Sequence, residues 1–305
     1  MAGIINTGTH PKLLWPGIRA IWGQVYDEHP TEYTDLYDIQ TSDRAYEEMV
    51  QITGFGLASI KPEAQAGTFD SELQGVISRF THIAYSLGYQ VTYEEMQDNL
   101  YAEVGARRAK ANAFSMSQTV ETVGAFLYNN AFSTTYFTTG DGAALVSASH
   151  VNVSGGTYSN LLNPAADLSE AALEDLAIQI MDTRNDRGLN ISVMPQSLHV
   201  APAEWFNAHR ILLSVQQPGT ANNDINVLKA MTIFPKGIKM NHYFTDTDAW
   251  FVRTNCPEGM TMFWRERPSL LPDNDFDTKN AKALSYMRLS VGAVDPRGIF
   301  ASAGA

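Results

Sequence analysis

From Met96 to Leu127 the apolar positions follow the turn of a helix. Met96, Leu100 and Val104 recur at four-residue spacing, and Ala113, Met116, Val120, Val123 and Leu127 at three and four, so one face stays apolar to about Asn130. Thr92-Tyr93-Glu94-Glu95 fits a capping box just upstream, the threonine hydroxyl closing a free amide of the first turn and Glu95 reaching back. The spacing predicts one helix over about 93–130. At about 1.5 Å per residue it is on the order of 55 Å long, which spans a subunit rather than sitting inside its core.

The pattern before that helix is extended. Val50-Gln51-Ile52, Gly54-Phe55-Gly56-Leu57, Val76-Ile77, Phe80, Ile83 and Tyr89-Gln90-Val91-Thr92 flank a turn-rich tip, Lys61 to Gly67. This predicts a long two-stranded loop. It has few large aliphatics for its length and needs support from elsewhere, since an isolated hairpin is marginal in water. Residues 1 to about 45 hold Pro11, Pro16 and Pro30 among the aromatics Trp15, Trp22, Tyr26, Tyr33 and Tyr37, which reads as an extended arm with a short helix around Gly17 to Val25. Those aromatics are to be buried either on the chain's own core or on a neighbouring subunit.

Downstream, residues 131–165 form an irregular connection rich in Gly, Ser, Thr and Asn. A second helix is expected from another capping-box pattern, Asp167-Leu168-Ser169-Glu170, through Leu173, Leu176 and Ile180 to a stop at Asp186-Arg187-Gly188. Leu198 to Val200 reads as a buried strand, and Pro202 opens a third helix, Ala203 to Ser214. Short strands follow at Met231 to Phe234, Trp250 to Arg253, Gly259 to Trp264 and Tyr286 to Val291. Helices wrapped by strands far apart in sequence imply an α+β fold with mixed sheets.

Composition narrows the functional classes. The chain has 305 residues, 44% hydrophobic and 18% charged, enough for a real core. With 21 basic against 33 acidic residues its net charge is −12, opposite to the cationic footprint that phosphate binding needs. No long apolar run suggests a membrane span or a signal peptide, and a lone Cys256 allows neither an intrachain disulfide nor a multi-cysteine zinc site, as suits a reducing cytoplasm. Asp246-Thr247-Asp248 could face a hard cation or simply turn the chain before Trp250. Ser149 and His150 are adjacent, with no nucleophile elbow around them, and Gly54-Phe55-Gly56 lacks the rest of a dinucleotide fingerprint. The densest basic cluster is Arg107, Arg108 and Lys110 on the long helix. Glu47, Glu48, Glu63, Asp70 and Glu72 of the acidic loop could oppose it between subunits.

Five sets of segments, in order, carry a family resemblance: residues 80–95 (FTHIAYSLGYQVTYEE), 141–150 (DGAALVSASH) with 155–160 (GGTYSN), 223–228 (NDINVL), 246–252 (DTDAWFV) and 294–298 (VDPRG). Together with the order of arm, loop, long helix and mixed domain, they resemble the Hong Kong 97-type fold of tailed-phage major capsid proteins, within it the Mu-like major head subunit family. The resemblance implies an N-terminal arm (1–46), an extended loop (47–92), a spine helix with peripheral domain (93–165), an axial domain (166–262) and a return to the peripheral domain (263–305). It implies a self-assembling subunit of hexamers and pentamers in an icosahedral head around double-stranded DNA, made in the bacterial cytoplasm and resident in the virion. A portal, a scaffold or head protease and a decoration protein are the implied partners. No scaffolding domain is expected within the chain. No cofactor, metal or catalytic residue is expected. Inter-subunit contacts are expected at Trp15, Trp22, Glu48, Lys61, Glu63, Asp70, Glu72, Arg107, Arg108 and Lys110. Some members join a loop lysine covalently to a distant asparagine; Lys61 lies in this loop, but the sequence identifies no partner for it. The alternatives are an encapsulin-like compartment and, further off, a small-molecule hydrolase built on the Ser, His and Asp residues of 141–160.

Overall fold

Aromatic side chains are costly to leave in water, and Trp22, Tyr33 and Tyr37 of the arm are buried on their own chain. The computed structural model describes residues 15–97, 101–217, 224–275, 277 and 280–305. In it the described part of the arm holds the expected short helix, longer than Gly17 to Val25, as the 14-residue α1 (Trp15–Glu28), followed by the single turn α2 (Tyr33–Leu36) and a short strand, β1 (Asp38–Thr41). Next come β2 (Tyr46–Ile52), β3 (Gln74–Thr81), β4 (Ile83–Val91) and α3 (Tyr93–Gln97). Then comes the 29-residue α4 (Tyr101–Asn129). The expected long helix is thus helical on both sides of residues 98–100, which lie outside the described residues, as do the side chains of Met96 and Val104. The predicted stripe is real where it can be seen: Ala113, Met116, Val120 and Leu127 are buried.

Two sheets are built on this helix. The first has the order β1-β10-β11-β4, from β10 (Met260–Asn274) and β11 (Ala281–Ala293), with β1 parallel and the other pairings antiparallel. Ala281, Ala283, Ser285, Met287 and Leu289 alternate inward, and Lys282, Leu284, Tyr286 and Arg288 alternate outward. Asn112 of α4 ties three elements together. Its carbonyl accepts from the Trp22 indole (2.9 Å) and from the Ser285 hydroxyl, and its amide donates to the Leu87 carbonyl (3.0 Å). Gly124 lets α2 approach closely, since a Cβ there would lie 3.0 Å from the Tyr33 Cβ.

The second sheet, β12-β9-β7-β8, comes from β7 (Pro195–Val200), β8 (Ile238–Met240), β9 (Trp250–Thr254) and β12 (Ile299–Ser302). It is covered on both faces. Leu198, Val200, Trp250, Val252 and Phe300 point to a core shared with α5 (Glu170–Met181), α6 (Trp205–Leu213) and α7 (Val227–Ala230). Phe251, Ile299 and Ala301 on the other face join the core of α4 and α1. The remaining strands are the ribbon of β2 with β3 and a small one of β5 (His150–Val151) with β6 (Thr157–Tyr158).

Several sequence expectations are corrected. The extended stretch 83–91 is not the second arm of a two-stranded loop: β4 pairs with β11, because Val91, Tyr89 and Tyr85 pack into the core of α4. Met231 to Phe234 is no strand; Asn226 caps α7 through the Lys229 amide, and Thr232 then adopts a left-handed φ of 50°, which ends any extended run. α5 is capped by Ser169 alone, which accepts from the Ala172 amide, and it stops at Met181. At the spine entry Thr92 does accept from the Glu95 amide (3.3 Å), but the Glu95 carboxylate turns to Arg108 instead of reaching back. Finally, β10 and β11 run 15 and 13 residues, well beyond the short strands expected; register shifts at Trp264–Ser269 interrupt the alternation of β10, and charged residues mix with Leu284 on the outward face of β11.

Candidate assembly surfaces

The ribbon of β2 and β3 rests on residues 140–153 along β3, where a Cβ on Gly140 would meet Val76 and one on Gly75 would lie 3.1 Å from Val153. None of its residues is buried along β2, and its base is fixed by Phe80, which meets Phe263 edge to face at 5.0 Å. Gly292 makes that contact possible, since a Cβ there would be 2.5 Å from the Phe80 ring. Residues 53–73 between the two strands carry no regular structure and expose Leu57 (83%), Ile60 (94%) and Phe69 (100%). One clasp returns the loop to its own chain: the Arg187 guanidinium lies 3.0 Å from the Asp70 carboxylate and also donates to the Ser71 carbonyl. The Gly56 amide donates to the same carboxylate at 2.7 Å, and these bonds hold it below the usual carboxylate range, the backbone amides of Gly56 and Ser71 contributing most.

The expected contact residues are divided by the fold. Trp22 is spent inside its own subunit, at 4% exposure with its indole satisfied. The Trp15 side chain lies outside the described residues. Lys61, Glu63 and Glu72 are exposed on the loop. Glu48 faces Arg79 across the ribbon at 3.8 Å, and Asp70 is held by Arg187. On the helix, Arg107 and Lys110 are exposed, and Arg108 pairs with Glu95 at 2.9 Å. Within one chain the acidic loop and the basic helix face do not meet through these residues.

The chemistry-bearing residues of 141–160 form a buried junction. His150 sits at zero exposure, its Nδ1 2.8 Å from the Asp141 carboxylate and its Nε2 3.1 Å from the Asn160 Oδ1. Both ring nitrogens are taken, so the imidazole is not placed to receive a proton from the exposed Ser149. Tyr158 is sandwiched between His150 (5.2 Å, stacked) and the Arg297 guanidinium (4.1 Å). Arg297 is buried and donates to Asp186 (2.9 Å), Asn152 (2.8 Å) and Asp295 (3.3 Å), which joins the 141–160 loop, the turn after α5 and the start of β12. The parts lie far apart in sequence; residues 141–150, 155–160 and 294–298 each stood out as segments of the family resemblance, but nothing in them showed that they meet. Asp246 is used in a turn, its Oδ1 accepting the amides of Asp248 (3.1 Å) and Ala249 (3.3 Å). Burial and the neighbouring Asp295 push the Cys256 thiol far up, away from reactivity. On α4, burial raises the Glu121 carboxyl to about 7, although it accepts the amides of Glu32 and Tyr33.

A buried polar junction that fastens loops, beside an exposed apolar loop, is the arrangement of a subunit built for contact. A family model described as phage capsid protein matches residues 78–302. The chain belongs to the phage capsid protein family. Its place is the capsid shell. No curated protein matches it. Among solved structures it is similar to the virus-like particle from Pyrococcus furiosus, with TM-score 0.55 and 12% identity over 94% of this chain and 98% of that one. It is also similar to the capsid of Myoviridae phage XM1, with TM-score 0.54 and 10% identity over 100% of both chains. The procapsid of bacteriophage JBD30 gives TM-score 0.52 and 12% identity, over 98% of this chain and 76% of that one. At such identities the likeness is one of fold, and the fold is the α+β Hong Kong 97-type capsid fold. Among the described residues no helix is long and apolar enough to cross a membrane.

Proposed function

We propose that this capsid protein is the major head subunit of a tailed phage, of the Mu-like kind, closing by self-association into hexamers and pentamers around double-stranded DNA. The observation that carries the reading is the loop 53–73. An isolated subunit that leaves a phenylalanine, an isoleucine and a leucine almost wholly in water has a surface whose stable state is contact. In this reading the ribbon and loop of residues 47–81 reach over an adjacent subunit, β4 having joined the body sheet, and residues 166–262 gather around the capsomer axis. The net charge of −12 confines DNA without binding it. The protein works through contact rather than catalysis. A portal, a scaffold or head protease and a decoration protein complete the set of partners, and Arg107 and Lys110 are offered to acidic groups of a neighbour.

Sedimentation velocity and negative-stain electron microscopy over a concentration series test the proposal. Closed shells or ring-shaped capsomers are expected, forming steeply with concentration; a chain that stays monomeric throughout overturns it. Similarity to a virus-like particle also favours a second reading, an encapsulin-like compartment. The content of purified particles separates the two: packaged DNA supports a phage head, a folded protein cargo supports the compartment.

A further inference from the structure

The second sheet carries two unlike surfaces over its two ends. α5 packs on β12 and β7, and α6 packs on β8, so the strand order β12-β9-β7-β8 sets the two helices apart over one face. α5 buries Leu173, Leu176 and Ile180 against the sheet and turns Glu174, Asp175 and Ile178 to solvent, with Ile178 61% exposed. From Asp167 to Asp182 the chain has five carboxylates and no Lys or Arg. None of them enters an ion pair among the described residues. Ile178 therefore stands exposed on an acidic helix face.

The other surface is its complement. Between α6, α7 and β8 lies an apolar groove of about 370 Å³, lined in part by Leu212, Leu228, Ile233 and Ile238. Phe206 (76% exposed), Leu213 and Met231 extend the apolar surface around α6 and α7. Arg210 and Lys229 supply positive charge, and the Lys229 ammonium is held beside the groove by the Leu213 carbonyl. Both surfaces face outward, so one copy cannot close them on each other. Two different complementary patches on one chain make a heterologous contact, which repeats into a ring where its rotation closes and into an open filament where it does not.

We propose that the outward face of α5 of one copy seats in the α6–α7 groove of the next, with Ile178 as the inserted side chain and Glu174 and Asp175 opposite Arg210 and Lys229. The proposal rests on the shell reading and adds to it the pair of surfaces that sets register around the capsomer. The test uses the full chain in four forms: wild type, E174K/D175K, R210E/K229E and all four substitutions together, each checked for native circular dichroism and melting. Because Lys229 also bonds the Leu213 carbonyl, R210E alone is a second basic-side variant. Each one-sided reversal is expected to raise the concentration needed for rings or shells by about tenfold or more, and the combined variant to restore it. Folded one-sided variants that assemble like wild type, or a combined variant that stays defective, overturn the contact while leaving the shell reading intact. A wild-type chain that never assembles overturns both.

Discussion

Phe69→Ser isolates the contact that the extended loop is proposed to make. In the single chain Phe69 is 100% exposed, so its removal deletes no intrachain packing, and the folded monomer should change by less than about 0.5 kcal/mol in a urea melt. In a shell the same side chain passes from water into an apolar contact, worth about 2–3 kcal/mol per loop. Since about 1.4 kcal/mol is tenfold in an equilibrium constant, the concentration at which shells form should rise roughly 30- to 150-fold. Sedimentation velocity over a dilution series reads that midpoint directly, with the melt as control. Assembly at the wild-type concentration would refute the reasoning. So would a monomer destabilised by more than about 1 kcal/mol, because Phe69 would then be packing on its own chain.

The buried groups give further expectations. Glu121 in the folded chain titrates near 7 instead of 4.5, so the folded state keeps a proton that the unfolded chain has lost. Its contribution is therefore full below about pH 4.5 and lost as pH rises through 7, a change of about 3 kcal/mol, and Glu121→Gln should flatten that part of a stability profile measured from pH 5 to 8. Gly298→Ala should cost about 3 kcal/mol or more in denaturant melts, because its Cβ would fall 2.4 Å from the Gly259 Cα, a backbone atom with no rotamer to yield. Arg297→Ala should cost about 3–5 kcal/mol by leaving the buried Asp186 carboxylate without its cation; a loss under about 1 kcal/mol would mean that the junction is not a structural tie.

The spine helix was legible because its stripe had a period that only a helix satisfies, and Ala113, Met116, Val120 and Leu127 are buried as that period requires. The arm was legible as aromatic and as holding a short helix, which is α1, but not in where it packs. Trp22 would look the same in sequence whether it packed on its own α4 or on a neighbour, since hydrophobicity carries no address. β11 was seen in half because its outward positions, Lys282 and Arg288 among them, dilute the apolar signal that its inward alanines hardly supply. The Met231–Phe234 run was misread because the features that decide it are the Asn226 cap and the left-handed Thr232, local backbone events rather than hydrophobic pattern. At the assembly surfaces the acidic loop could be read, but its partner could not. Arg187 read as the end of a helix, and its bond to Asp70 spans 117 residues.

The division between what is buried twice and what is hardly buried also decides which parts can adapt when subunits meet. β9 is buried along its whole length and lies between two cores, and polar groups there are neutral or tied down. Burial, with Arg253 and nearby lysines, pushes His199 down to about 3, and Arg253 bonds the Asp35 carbonyl (3.0 Å) and the Asp38 carboxylate (3.2 Å) of the arm. Any shift between the two sheets would break those bonds inside a packed interior, which favours movement as one body. The loop between β2 and β3 has no such cost: Phe80 anchors the base of its ribbon, and the loop itself returns to the body through the exposed Asp70–Arg187 ion pair and the Ser71 carbonyl. The loop should therefore open locally far below the global unfolding free energy. Amide exchange on the unassembled chain should be fast over residues 53–73 and slow over β9, with the loop gaining protection only on assembly. Loop amides as protected as those of β9 before assembly would place the ribbon in the rigid body and remove it as the adaptable contact.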